Sequence, residues 1–458
     1  MLLKVLKLNS GGKSLEKKSL IYFESLGCDK NLVDSEVMLG MLNQEGFILT
    51  MNAEEAEAII INTCSFIHDA KEESINTIIE YAGLKEEGHL KALIVVGCLT
   101  ELYKEEVMKE IPEIDAILGA ANYDRILEAV NEALAGHKYI RFDSIDNNPE
   151  VFINRTTETT KHYGYLKIAE GCDNNCTYCI IPKLRGKFRS RKMESLIEEV
   201  RFLVDQGKTE IILVAQDVGK YGRDIYNKKA LPELIQKIAE VEGVHWIRLL
   251  YVYPEDVTEE LISLMKEEPK LLHYIDMPLQ HVDDTILKRM ARKSRQESIR
   301  SLILRLRDQV PDICIRTTFI VGFPGETEEA FQELYRFVDE MKLDRVGVFT
   351  YSREEGTPAY TMDHQIDASL SMKRKDQIML LQQNISTEKN RSMIGRTIEV
   401  MVDGYVPDDD IYIGRSYKDT PDVDGYVFLE SDEPLLSGDY VTVKIVQANE
   451  YDLIGEII

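Results

Sequence analysis

A chain of 458 residues with 80 acidic against 55 basic side chains, a net charge of −25 and 44% hydrophobic residues is too long for one core and too apolar for wholesale disorder; roughly two to four domains are expected. No apolar run reaches the roughly 18 to 20 residues that cross a bilayer, and residues 1–18, punctuated by five lysines and lacking a small-residue cleavage site, read as a loose leader. The charge disfavours polyanions and favours basic protein partners, while seven cysteines without a secretion signal point to metal or redox chemistry in the cytoplasm rather than to disulfides.

In the first module, residues 19–145, an apolar run is three times followed by a cysteine: residues 20–23 by Cys28, 58–61 by Cys64 and 92–96 by Cys98. Helical periodicity lies between, at 33–45 and 72–84, so strands alternate with crossover helices and a parallel sheet is expected. Strands of such a sheet point the same way, so residues just past their ends gather on the edge where open α/β folds bind ligands. Cys28, Cys64 and Cys98 are expected to converge there. The alternative, three buried small hydrophobes, requires the same topological position three times by coincidence.

The β–α alternation resumes within residues 158–386, with apolar runs at 165–168, 210–215, 246–252, 274–277, 315–321 and 346–351. Six βα units make a partial barrel whose working face lies at the strand C-termini. Residues 388–458 change to short β-rich segments, 397–402, 425–429 and 440–446, between Gly, Pro and Asp turns, which is the texture of a small antiparallel barrel or sandwich. The expected fold class is therefore multidomain α/β with three modules. Cys314, inside an apolar strand, is assigned a structural role.

Just after the first barrel strand stands Gly171-Cys172-Asp173-Asn174-Asn175-Cys176-Thr177-Tyr178-Cys179. A structural zinc site wants a fourth Cys or His at short spacing, and none follows before Arg191. A redox C-x2-C pair leaves Cys172 unexplained. Three thiolates on one loop suit an iron-sulfur cluster, and on a four-iron cluster they leave one iron open.

This C-x3-C-x-aromatic-C loop, Cys172, Cys176, Tyr178 and Cys179, resembles that of the radical S-adenosylmethionine (SAM) superfamily. The resemblance implies a 4Fe-4S cluster whose open iron is chelated by SAM, and reductive cleavage of the sulfonium to a 5′-deoxyadenosyl radical. It also implies cofactor contacts at Tyr178, at Gln216 and Asp217 after the second barrel strand, and at Gly322 in the glycine motif of residues 320–327. Gly322 and Gly325 could equally shape a strand-to-helix turn.

A radical barrel between a three-cysteine α/β domain and a small β domain resembles the methylthiotransferases over residues 19–458, and the last domain is then similar to a TRAM domain. That resemblance implies Cys28, Cys64 and Cys98 as ligands of a second 4Fe-4S cluster, with one SAM as methyl donor to sulfur there and another as radical source. The chemistry explains the pair. An unactivated C–H bond offers neither an acidic proton nor a leaving group, so a radical and a sulfur carrier must both reach one carbon. Asp217, the paired tyrosines of Leu249-Leu250-Tyr251-Val252-Tyr253-Pro254, and Gln280-His281 lean to the branch that modifies the β-carbon of an aspartate in ribosomal protein uS12, over the branch acting on transfer-RNA adenosines.

Residues 388–458 hold sixteen acidic against six basic side chains, net −10. Such a domain repels phosphates and suits a basic ribosomal protein, free or in the small subunit. The basic loop 183–192 beside the cysteines is expected to face ribosomal RNA, the substrate carboxylate or the cofactor carboxylate, or to be a solvated basic face. The resemblance further implies an electron donor such as flavodoxin or ferredoxin, and a sulfur source. From another class, a non-catalytic iron-sulfur regulator needs no SAM at all.

Overall fold

The computed structural model describes residues 19–147, 155–157, 161–431 and 433–458, and the expected leader, 1–18, lies outside them. The first module contains β1 (Leu20–Ser25), β2 (Ile48–Thr50), β3 (Ala58–Thr63), β4 (Ala92–Gly97), β5 (Ala116–Gly119) and β6 (Tyr139–Arg141), all parallel in the order β2-β1-β3-β4-β5-β6. β3 and β4 are buried along their whole length because helices cover both faces. Ala58 and Ile60 pack with helix Asp29–Gln44 on one side, Ile59 and Ile61 with helix His68–Glu86 on the other. β2 and β3 flank β1 on opposite sides, so the two helices leave on opposite faces and open a crevice beyond the C-terminal ends of β1 and β3. β2, β5 and β6 are only three or four residues long and carry too little pattern to be read from the sequence.

The second module begins with β7 (Tyr163–Lys167) and a two-residue ladder of β8 (Ala169–Glu170) with β9 (Arg189–Ser190). It continues through β10 (Glu210–Val214), β11 (Trp246–Leu249), β12 (Leu271–Asp276), β13 (Cys314–Val321) and β14 (Arg345–Thr350). Six strands run parallel in the order β14-β13-β12-β11-β10-β7, leaving β7 and β14 as open edges. The first module spans this gap. Lys167 on β7 pairs with Asp34, while beyond β14 Glu354 pairs with Lys71 and Ser352 Oγ accepts the His68 N–H at 3.4 Å.

The third module is a closed barrel of β15 (Thr397–Val406), β16 (Ile411–Ser416), β17 (Val427–Glu430), β18 (Tyr440–Ala448) and β19 (Leu453–Ile457), in the order β15-β16-β17-β19-β18. It departs from a purely antiparallel barrel in one pair, β17 with β19. The expected boundary between 386 and 388 falls inside helix Ala368–Arg391, which continues from the second module onto the third. Its last turns are held there by Ser386 Oγ donating to the Glu450 carbonyl at 2.6 Å and by Asn390 Nδ2 donating to the Asn449 carbonyl at 3.2 Å. Among the described residues no helix is long and apolar enough to cross a membrane.

The third module seats on the N-terminal ends of the barrel strands, away from the six cysteines that follow strand ends. Glu210, at the start of β10, accepts from Arg248 Nε at 2.7 Å and Arg415 Nη1 at 2.8 Å. Arg345 pairs with Asp419 at 2.7 Å, and Tyr163 and Tyr274 donate to Asp422 and Asp424, each at 2.8 Å. Burial by itself raises the Glu210 carboxyl, but Arg415 and Arg248 outweigh it and hold it below the usual carboxylate range. This pairing stabilises the fold above the ordinary carboxylate pKa, and the gain is lost as pH falls through the depressed value. Glu210→Gln leaves two buried guanidinium groups under-compensated and is expected to cost about 3–5 kcal/mol. Urea unfolding at neutral pH should show that loss, and the gap to wild type should narrow on acidification.

Candidate active site

Cys28 is the residue before helix Asp29–Gln44, Cys64 follows β3, and Cys98 opens the short helix Cys98–Tyr103 after β4. The parallel register, with Ser25 beside Asn62 and Thr63 beside Gly97, sets the three strand ends level. The cysteines meet there, close enough for each of Cys28 and Cys64 to raise the Cys98 thiol. Gly27, at φ +94°, permits the approach: a Cβ on it would stand 2.7 Å from Cys64 Cβ. Asn31 braces the floor by donating to the carbonyls of Thr63 at 3.0 Å and Leu26 at 3.2 Å. Burial pushes the Cys98 thiol up to about 12 against the pull of Arg185, and raises Cys64 as well.

The second triad lies on the loop after β8. Cys172 and Cys176 are buried and Cys179 is half-buried. Burial lifts Cys172 to about 11 and Cys179 to about 12, with Cys176 and Cys172 adding to the latter. The Asn174 amide donates to Cys172 Sγ at 3.5 Å and Arg292 Nη1 lies 4.0 Å from Cys176 Sγ, so thiolates here have N–H donors waiting. Among the described residues no three His, Cys, Asp or Glu side chains close on a single metal ion. The donor chemistry of three thiols with N–H support fits an iron-sulfur cluster.

Tyr178 packs edge-on against Phe323 at 6.5 Å between centroids, beside Cys176. Gln216 Nε2 donates to Glu170 at 2.7 Å while its Oε1 is buried without a partner among the described residues. Asp217 Oδ2 accepts from Asn174 Nδ2 at 2.8 Å, its Oδ1 has no partner among the described residues, and burial followed by the nearby Asp256 raises the carboxyl to about 6. Two orphaned acceptors beside the cysteine loop suit a polar ligand. Gly322, at φ +74°, lies against Ser371, where a Cβ would come within 1.9 Å of Oγ, and its N–H donates to Glu326. That packing explains the glycine by itself.

The paired tyrosines of the sequence part company in space. Tyr251, at φ +59°, lies under the Lys30 ammonium at 3.5 Å, near Cys28, whereas the Tyr253 ring stacks with Arg292 at 4.1 Å, near Cys176. One three-residue segment thus lies near both triads. The basic loop 183–192 is not a uniform face, which corrects the solvated-face expectation. Arg185 and Arg191 are buried in internal ion pairs, Arg191 with Glu199 at 2.6 Å, while Lys187 and Lys192 are exposed. Sequence reasoning missed Arg292, which reads as one cation in a basic run, and Asp34, which shares the buried face of its helix with Lys30, Asn31 and Ser35. Cys314 is fully buried with its Sγ 3.7 Å from the Lys418 carbonyl, away from both triads.

Three family descriptions match the three modules: uncharacterized protein family UPF0004 over residues 20–119, the radical SAM superfamily over 166–338 and the TRAM domain over 394–458. Among solved structures, the radical SAM methyltransferase TsrM from Kitasatospora setae aligns with a TM-score of 0.55 at 13% identity, covering 75% of this chain and 77% of that one, a likeness of fold. The fold and the triads make this a radical SAM enzyme of methylthiotransferase architecture. Proteins named ribosomal protein uS12 methylthiotransferase RimO are 52% identical in Lachnoclostridium phytofermentans, over 95% of this chain and 99% of that one, and 49% identical in Acetivibrio thermocellus, over 95% and 97%. One from Clostridioides difficile is 48% identical over 96% and 98%. The chain belongs to the RimO family of uS12 methylthiotransferases.

Proposed function

We propose that this chain attaches a methylthio group to the β-carbon of an aspartate in ribosomal protein uS12, in the cytoplasm, using SAM and two 4Fe-4S clusters. The observation that carries the reading is the approach of the two triads: Arg185, six residues past Cys179, places its Nη2 3.4 Å from Cys98 Sγ. Cys172, Cys176 and Cys179 would hold the cluster that cleaves SAM, and Cys28, Cys64 and Cys98 the one that carries sulfur. When bound, the first supplies the one-electron cleavage that produces a hydrogen-abstracting radical. The chain's own part is positioning and the exclusion of water. Gln216 and Asp217 offer their orphaned acceptors to the cofactor, and the first module closes the barrel gap through Asp34 and Lys71. An external one-electron donor such as flavodoxin or ferredoxin, and a sulfur source, complete the requirement.

The test offers anaerobically reconstituted, reduced enzyme uS12 and transfer RNA in turn. Methylthiolation of uS12 is expected; modification of transfer RNA in its place overturns the reading. Recognition is expected to be electrostatic but weaker than the sequence count suggests. Of the sixteen acids of residues 388–458, Glu399, Asp403, Asp419, Asp422 and Asp424 are engaged at the interface with the barrel or by Arg415. Asp408, Asp409 and Asp410, in the turn between β15 and β16, are exposed. Changing these three to Lys should slow uS12 association, as added salt does over a Debye length of about 8–10 Å. Stopped-flow association at two salt concentrations checks this, and faster binding by the variant contradicts it.

A further inference from the structure

One side chain bridges the two halves of the site. We propose that Arg185 is a positioning residue that fixes the Cys98 thiolate and tunes the group bound there, by donating from Nη2 to Cys98 Sγ. The inference rests on the reading that Cys28, Cys64 and Cys98 hold an iron-sulfur cluster.

The backbone carries Arg185 to this place by a short, rigid route. Helix Ile181–Arg185 starts two residues after Cys179, and Ile180 and Leu184 pack directly with Cys98. The radical-site loop is thereby anchored on the opposite module. Arg185 is 4% exposed, and its planar fork is used on both edges. Nη1 meets Asp34 at 2.8 Å and Glu170 at 3.2 Å; Nη2 meets Asn31 Oδ1 and, at 3.4 Å, Cys98 Sγ. Lys167 shares the same two carboxylates, so two cations face two anions. The guanidinium edge turned to Cys98 is shared only between the sulfur and Asn31 Oδ1 among the described residues.

Continuity matters as much as charge. Gln216, at the end of β10, donates to Glu170, Glu170 accepts from Arg185, and Arg185 donates to Cys98. A buried chain of hydrogen bonds thus runs from the expected SAM contacts to the other triad. An N–H donor and a fixed positive charge at a cluster sulfur stabilise the reduced, more negative state, which raises the reduction potential. A Lys ammonium is a point charge and cannot serve the carboxylates and the sulfur with the same geometry.

The experiment uses the full chain with Cys172, Cys176 and Cys179 changed to Ala, so that only the N-terminal cluster remains, and compares it with the same protein carrying R185Q or R185K. After reconstitution, iron content is measured and the cluster is titrated reductively under electron paramagnetic resonance. R185Q is expected to keep its iron but titrate at a lower midpoint potential than the parent, with R185K between them. Equal potentials in all three overturn the role of Arg185 while leaving the cluster reading intact. A parent that binds no cluster overturns both. If R185Q does not fold, R185K decides alone: a midpoint below the parent's supports the role, and one equal to it overturns it.

Discussion

Changing Cys172, Cys176 and Cys179 together to Ala is expected to abolish 5′-deoxyadenosine formation and to halve the iron, from about eight to about four atoms per chain after anaerobic reconstitution. The three thiols come from one loop, Cys172 and Cys176 buried with N–H donors at their sulfurs and Cys179 half-buried. The loop is held independently of any bound group, by the Cys172 N–H donating to the Gly186 carbonyl at 3.1 Å and the Thr177 N–H to the Met290 carbonyl at 3.1 Å. The variant should therefore fold, and iron loss then reports ligation. Unchanged iron contradicts the assignment.

The complementary variant, Cys28, Cys64 and Cys98 to Ala, is expected to lose methylthiolation entirely while still forming 5′-deoxyadenosine. The two triads belong to separate modules, and the candidate SAM contacts Gln216 and Asp217 sit at the end of β10, on the barrel side. Removing the N-terminal thiols leaves the Asn31 brackets to Thr63 and Leu26 in place, so the sheet edge should keep its shape. Chromatography of the nucleoside product and mass spectrometry of uS12 separate the two activities. Methylthiolation retained in this variant would show that the N-terminal cysteines are only structural.

The sequence groups each set of three cysteines for a different reason. Cys172, Cys176 and Cys179 are local, so spacing alone groups them. Cys28, Cys64 and Cys98 are up to 70 residues apart, and only the rule that parallel strands end together brings them to one edge. What spacing could not show is which module each polar side chain serves. Arg185 reads as one cation in a basic loop, yet it is buried against Asp34, a helix residue some 150 positions earlier. Tyr251 and Tyr253 read as a pair, but both lie in the loop after β11, where the left-handed backbone at Tyr251, φ +59°, turns them to different partners, Lys30 and Arg292. Composition likewise overstated the acidic surface, because several of its carboxylates are spent on Arg345, Arg415 and the tyrosines at the barrel floor.

The most direct measurement is mass spectrometry of uS12 from cells with and without this gene, with fragmentation to locate any added group. The account predicts a methylthio group on the β-carbon of one aspartate when the gene is present, its complete loss on deletion, and its return only with a copy carrying all six triad cysteines. Unmodified uS12 in both strains, with a methylthio group lost from transfer-RNA adenosine on deletion, would contradict it.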